Sequence, residues 1–328
     1  MKDTHFAFSV AYMRTMENKM LGQSDIDALL NMSDAGEAIK YLSDRNYGSM
    51  ERKGGEGKQE IDDMLKAEQE LAWQEIREAC PKGAPIDVLL YQNDFQNLKT
   101  ILKAFFSKSN WEDLMIYPST VDTALIYRAI AENEMDELPL LLQKPAKDAY
   151  EVLARTNDGQ RAEVILDKAA FRAMKKTAEE HKNKFLLQWV ELWATLLNMK
   201  MLLRGTLQHK DKAFLAEAML PTDDINSSYM VDAAAQDKQA LLQAFTEAGF
   251  EDGAEAAGRS MSEFEKWSDN KLMDFVKDAK NSSFGFEPLV AFLFGKKAEL
   301  QAVRIVLYGL LNHIPKNILK ERLRDMYV

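Results

Sequence analysis

The stretch Asp94-Phe95-Gln96-Asn97-Leu98-Lys99-Thr100-Ile101-Leu102-Lys103 returns, in altered form, twice more along the chain. Its second copy is Thr195-Leu196-Leu197-Asn198-Met199-Lys200-Met201-Leu202-Leu203-Arg204, and a looser third is Glu299-Leu300-Gln301-Ala302-Val303-Arg304-Ile305-Val306-Leu307-Tyr308. The shared pattern is an acceptor, two spacers, Asn or Ala, an apolar residue, a base, a spacer and two apolar residues. A proline follows each copy: Pro118, Pro221 and Pro315. Internal repeats are sought before other signals because they reset the whole fold reading. Chance similarity between amphipathic helices is the competing account.

Each copy carries helical periodicity. Leu98, Ile101, Leu102 and Phe105 stand at i, i+3, i+4 and i+7, as do Val303, Val306, Leu307 and Leu310, which gathers them on one helix face. At the same angular step Asp94 falls on the apolar line one turn before Leu98, while Lys99 and Lys103 point nearly opposite. The spacing therefore places the acceptor inward and the base outward. An inward carboxylate must find donors, because leaving it unpaired costs several kcal/mol in rough terms. The acceptors and amides Asp94, Asn97, Thr195, Asn198 and Glu299 are accordingly candidates for helix-to-helix ties or for lining a polar cavity. The outward bases Lys99, Lys103, Lys200, Arg204 and Arg304 are candidates for a partner interface.

Bulk composition bounds the rest. With 328 residues, 46% of them apolar and 29% charged, the chain can bury a sizeable core. A net charge of −10 argues against a nucleic-acid binder, which needs a basic surface to displace phosphate counterions. One cysteine, Cys80, excludes an internal disulfide framework and fits a reducing compartment. No cationic leader with an apolar run opens the sequence, so a secretory route is not expected. The richest apolar stretch, 185–207, contains Glu191, Asn198, Lys200 and Arg204, a load that membrane spans rarely carry. Charge is uneven: 210–259 holds ten acids against four bases, a net of −6, and 295–328 seven bases against three acids, a net of +4. Ordinary solvated helix faces would give this, as would two regions meeting different partners.

Along the chain the pattern predicts a helix from Phe6 to Leu21, a second opening at Ser24 with Ser24 and Asp27 as a capping-box-like pair, and a third capped at Ser33-Asp34. A glycine-bearing polar loop over 47–58 precedes a long helix from about Gln59 to Ala79, broken at Cys80-Pro81. Helices are expected over 121–132 and 146–154, a turn at Asn157-Asp158-Gly159, and a nearly continuous helical run over 160–207 with a break near His181 to Asn183. Pro221, Gly249, Gly253 and Gly258 punctuate the next region, 261–280 reads as helix and 281–286 as loop. No period-two strand pair is visible, so the expected class is all-α.

Catalytic signatures are missing. His5, His181, His209 and His313 lack a second ligand at metal spacing, and there is no nucleophile elbow, dinucleotide fingerprint or Walker loop. No cofactor or catalytic residue is expected. Trp189 and Trp193, at i and i+4, read as core anchors, and the seventeen methionines as core filler or an adaptable docking surface.

Taken in order, Tyr12-Met13-Arg14-Thr15-Met16-Glu17 with Leu21, Asp44 to Tyr47, Asp94-Phe95-Gln96-Asn97-Leu98-Lys99, Glu299 to Arg304, Pro315 and the terminal Arg322-Leu323-Arg324-Asp325-Met326-Tyr327 resemble the C subunit of prokaryotic V-type ATPases, the relative of the eukaryotic d subunit. The resemblance implies a funnel-shaped all-α body of three pseudo-repeated lobes, approximately 1–118, 119–221 and 222–328, together making one subunit. It implies a non-catalytic coupler, peripheral on the cytoplasmic face of the membrane. Its partners would be the central-stalk subunits and the proteolipid rotor ring, for rotary H⁺ or Na⁺ transport, with no transmembrane segment of its own. Thr195 in place of an acid and Ala302 in place of Asn depart from a strictly symmetric polar lining. The rival from another class is a free-standing helical-repeat adaptor for a soluble partner.

Overall fold

A computed structural model describes residues 3–48, 57–282 and 284–328, and among these the chain forms helices and no strands. After a 3-10 turn at Asp3–Phe6 come α1 (Ala7–Glu17), α2 (Gln23–Leu30), α3 (Ala35–Asp44), α4 (Lys58–Ala79) and α5 (Tyr91–Ser107). Then follow α6 (Thr123–Ala131), α7 (Leu140–Thr156), α8 (Gly159–Glu180), α9 (Lys184–Leu207) and α10 (Lys212–Ala218). The series closes with α11 (Ser227–Gln236), α12 (Lys238–Glu247), α13 (Glu251–Arg259), α14 (Met261–Asp278), α15 (Glu287–Leu311) and α16 (Lys316–Arg322).

Local chemistry sets most boundaries. The break expected near His181 to Asn183 separates α8 from α9: Lys182 takes a left-handed φ of 51°, and the Asn183 side chain accepts the Leu186 N–H at 2.8 Å. Asn157 is likewise left-handed and Asp158 caps α8 through the Arg161 N–H at 3.0 Å. Asp34 caps α3 through Glu37 N at 2.9 Å. The cap of α2 differs from the expected Ser24 and Asp27 pair. The chain turns at Gly22, whose own N–H is the group needing a partner, and the Asp25 carboxylate accepts it at 3.0 Å. Helix α7 begins six residues before the expected 146, with Pro145 accommodated within its second turn. The glycine-punctuated region hides four short helices, three of them capped by Asp211, Asn226 and Asp237. Gly253 is buried inside α13 beside Ala254, Ala256 and Ala257, so it is there for close packing rather than for a turn. The loop expected over 47–58 lies largely outside the described residues.

The chain divides into two compact units, one made of 1–84 with 266–328 and the other of 85–265, with the boundary falling inside α14. In the first, Ile26, Leu29 and Leu30 of α2, Ile39 and Leu42 of α3, and Ile61 and Leu65 of α4 join Val303, Val306 and Leu307 of α15 in one core. In the second, Phe95, Leu98, Ile101 and Leu102 of α5 pack with Ile126 and Ile130 of α6, Leu142 and Ala149 of α7, and Leu166 of α8. The apolar line read from the repeated stretch is thus the buried face in both units. Trp189 is buried as expected of a core anchor, and Trp193 is half-buried.

Candidate functional site: clasps between long helices and the loops beside them

Asp94 sits in the first turn of α5, on the apolar line, and is fully buried. Its donors come from the loop before α6: Thr120 N at 2.7 Å, the Thr120 hydroxyl at 2.6 Å and Val121 N at 3.2 Å. Burial raises its pKa above the ordinary carboxylate value, and those three donors pull against it. One turn on, Asn97 grips the same loop at both backbone atoms of Ile116, accepting from Ile116 N at 2.8 Å and donating to Ile116 O at 2.9 Å. Asn93 adds a bond to Pro118 O at 2.8 Å. Three side chains of one helix thereby fix a loop whose backbone would otherwise need water.

Helix α9 repeats the arrangement with one exchange. Asn198 accepts from Leu220 N at 2.8 Å and donates to Leu220 O at 2.9 Å, as Asn97 does with Ile116. Four residues beyond Ile116 is Thr120, and four beyond Leu220 is Asp224. Thr195, standing where Asp94 stands, therefore meets a loop acid: hydroxyl and carboxylate have changed sides. Burial, Glu191 and Asp223 raise the Asp224 pKa, while the Thr195 hydroxyl pulls it down. The Thr195 oxygen is buried with no partner in full hydrogen-bond geometry. The missing helix acid is supplied one turn earlier by Glu191, buried, which accepts Asp223 N at 3.1 Å and pairs with Lys175 of α8 at 2.6 Å. Burial alone would lower the Lys175 pKa, but hydrogen bonds to Asp223 and Glu191 outweigh it and push the value up to about 12.

The third acceptor, Glu299 of α15, is fully buried in the other unit. It accepts Leu21 N at 2.8 Å and the Lys296 ammonium at 2.8 Å. Lys296 also donates to Glu68 of α4 at 2.7 Å, and Glu68 accepts Gly48 N at 2.8 Å. Burial raises the Glu299 pKa despite Lys296. For Lys296 burial is outweighed by the two carboxylates, so its pKa rises as well. Leu21 directly precedes the N-cap of α2 as Val121 precedes that of α6, so the same kind of backbone donor serves Glu299 and Asp94. Ala302, in the Asn position, leaves no bidentate grip here. A cavity of about 600 Å³ opens beside this cluster, lined by Met16, Met20 and Phe292 together with the charged Asp25, Arg45 and Glu75.

Four of the five outward bases are engaged within their own unit. Lys99 pairs with Asp167 and Lys103 with Glu163, both on α8. Lys200 and Arg204 close on one oxygen of Glu265 at 2.9 and 2.6 Å, which holds that carboxyl below its ordinary pKa although burial pushes the other way. Arg304 is exposed. Sequence reasoning missed Thr120, Asp224, Glu191, Lys175, Glu68 and Lys296. For the helical ones the signal is an ionisable residue on an apolar line, as at Glu191 in an otherwise apolar helix; Thr120 and Asp224 stand on loops and carry no such signal.

The family model described as the ATP synthase (C/AC39) subunit matches residues 9–322. The chain belongs to this family. Within it, the C subunit of the V-type sodium ATPase of Enterococcus hirae is 25% identical over 268 residues, covering 80% of this chain and 81% of that protein. The C subunit of the V-type ATP synthase of Thermus thermophilus, in each of two strains, is 25% identical over 207 residues, covering 60% of this chain and 61% of the relative. For this C/AC39 family chain, the resemblance to the V-type ATPase C subunit and the all-α class both stand. Among the described residues of this family member no helix is long and apolar enough to cross a membrane.

Proposed function

We propose that this chain is the non-catalytic coupling component of a V-type ATPase, seated on the cytoplasmic face between the central stalk and the proteolipid rotor ring. The observation that carries the reading is the family match across 9–322, joined to relatives named as the C subunit of such enzymes. A coupler passes torque and so needs stiffness more than chemistry. Helix α9, 24 residues long, and α15, 25 residues long, are rods of roughly 36 Å each at 1.5 Å per residue. Close-packed cores around them resist deformation.

The same reading takes the body as three versions of one helical unit, centred on α5, α9 and α15, in lobes near 1–118, 119–221 and 222–328. Its support is local: Asn97 and Asn198 make one and the same pair of backbone bonds, and Asp94 and Glu299 each receive the N–H that precedes a helix cap. Glu299 takes its donor from Leu21, so the third unit is completed by the beginning of the chain.

The test is size-exclusion chromatography of the purified chain with the central-stalk subunits and, separately, with the detergent-solubilised rotor ring. Co-elution with either supports the coupler. Elution alone in both favours a free-standing helical adaptor.

A further inference from the structure

The loop joining α5 to α6 combines two properties that rarely coincide. Three of its apolar side chains are exposed: Leu114 by 62%, Tyr117 by 51% and Ile116 by 40%. Trp111 stacks on the exposed Tyr127 of α6, with centroids 5.1 Å apart, and extends the patch. Yet its backbone is fixed from beneath by Asn93 at Pro118, Asn97 at Ile116, and Asp94 at Thr120 and Val121. A mobile loop would lose conformational freedom on binding; a clamped one has lost it during folding, so each apolar contact it makes contributes more to affinity. Contiguous exposed apolar residues rimmed by polar ones mark interaction surfaces.

The sister loop supplies the contrast. Asn198 holds Leu220 by the same two bonds, and there Leu220 is only 2% exposed. The clamp alone therefore does not force its residue outward. Charge then selects the partner. From Ser109 to Asp122 the chain carries Glu112, Asp113 and Asp122 and no cation, the nearest being Lys108 at the left-handed end of α5. Glu112 and Asp113 are exposed and directly precede Leu114. An anionic lipid surface would be repelled, whereas a protein face with an apolar centre and a basic rim is complementary.

We infer that the loop around Leu114 and Ile116 is a preorganised docking knob for a protein partner whose contact face is apolar at its centre and Lys- or Arg-rich at its rim. The inference rests on the coupler reading in taking that partner to be another component of the ATPase. The experiment places a photoreactive benzophenone amino acid at Leu114 of the full chain, assembles it into the ATPase, and identifies the adduct by mass spectrometry. The expected adduct is a protein segment with aliphatic residues flanked by bases. Leu114→Ser with Ile116→Ser should weaken association about tenfold, the size of one lost anchor, and Glu112→Lys with Asp113→Lys should weaken it as well. Leu207→Ser, at another exposed apolar residue of the same unit, should leave it unchanged. An assembled chain whose Leu114 probe labels lipid or nothing, an undiminished double serine variant, or flotation of the free chain on phosphatidylglycerol vesicles overturns the knob alone. Failure of the unmodified chain to assemble overturns the coupler reading and the knob with it.

Discussion

Asn198 and Leu220 are joined at both of the leucine's backbone polar atoms, 2.8 Å at the N–H and 2.9 Å at the carbonyl, in the buried interior of the second unit. Asn198→Leu keeps the branched shape and strands both groups away from water. It should cost about 2–6 kcal/mol, from about 1–3 kcal/mol for each orphaned group. Asn97→Leu should cost less, because exposed Ile116 can turn its backbone to solvent. Urea midpoints of the two variants check the order, and equal losses would contradict it.

The exchanged pair makes a reciprocal prediction. Thr195→Asp alone adds a third carboxylate to Asp224 and Glu191, and Asp224→Thr alone removes the acid that Thr195 meets. The double variant, Thr195→Asp with Asp224→Thr, rebuilds the Asp94 and Thr120 pattern and should be more stable than the sum of the singles by about 1 kcal/mol or more. A thermodynamic cycle with no coupling between the positions would show that they do not form a pair.

Gly295 admits the C-terminal tail. A Cβ there would stand 2.6 Å from the Tyr327 ring and 2.9 Å from its Cβ, so the ring would have to leave. Tyr327 is tied to Glu17 at 2.7 Å and its carbonyl accepts from Lys280. Gly295→Ala should therefore cost about 1–3 kcal/mol, the usual range for overpacking. Limited proteolysis should release the last residues earlier in the variant than in the parent chain.

Asp94 gives a pH signature with an uncommon sign. Burial raises its folded pKa above the ordinary 3.8, so the folded chain holds this proton more tightly than the unfolded chain does. The stability carried by that proton is full below the unfolded value and is lost as pH rises through the folded pKa. Asp94→Asn cannot titrate. Its melting profile should lack the stabilisation that the parent gains at Asp94 as pH falls through the raised folded pKa toward the unfolded value, and the difference between the two profiles isolates this group.

Lys175 tests the buried acid of α9. Lys175→Met leaves Glu191 buried without its cation and should cost about 3 kcal/mol. Adding Glu191→Gln should restore part of it. Because the folded pKa of Lys175 is raised to about 12, its contribution is present below 10.5 and lost as pH rises through the folded value, so the parent should lose this advantage only in strong alkali.

Much of the fold was legible because helical periodicity and caps are local. The inward turn of Asp94 and the break before Asn183 follow from spacing within a few residues, whereas Lys99, expected to point outward, lies largely covered against Asp167 of α8. What the acids meet was not legible. Thr120 lies 26 residues from Asp94, and Lys296 reaches Glu68 across 228 positions. The short helices α10 to α13 escape a reading that takes glycine and proline as punctuation, because Gly253 and Gly258 lie inside α13. Thr195 looks like a broken repeat because its partner acid stands on a loop that no helical period indexes.

The grip of Lys200 and Arg204 on Glu265 changes what recognition at that face would mean. One carboxylate of the same chain answers one of their two charges, and Lys99 and Lys103 each have an acid of their own. An incoming acidic group would therefore meet a cation pair that is only half neutralised. To take both cations it would have to displace Glu265, and that part of its gain would be the difference between two similar ion pairs. Binding there would be a substitution reaction, limited by how often the internal carboxylate lets go.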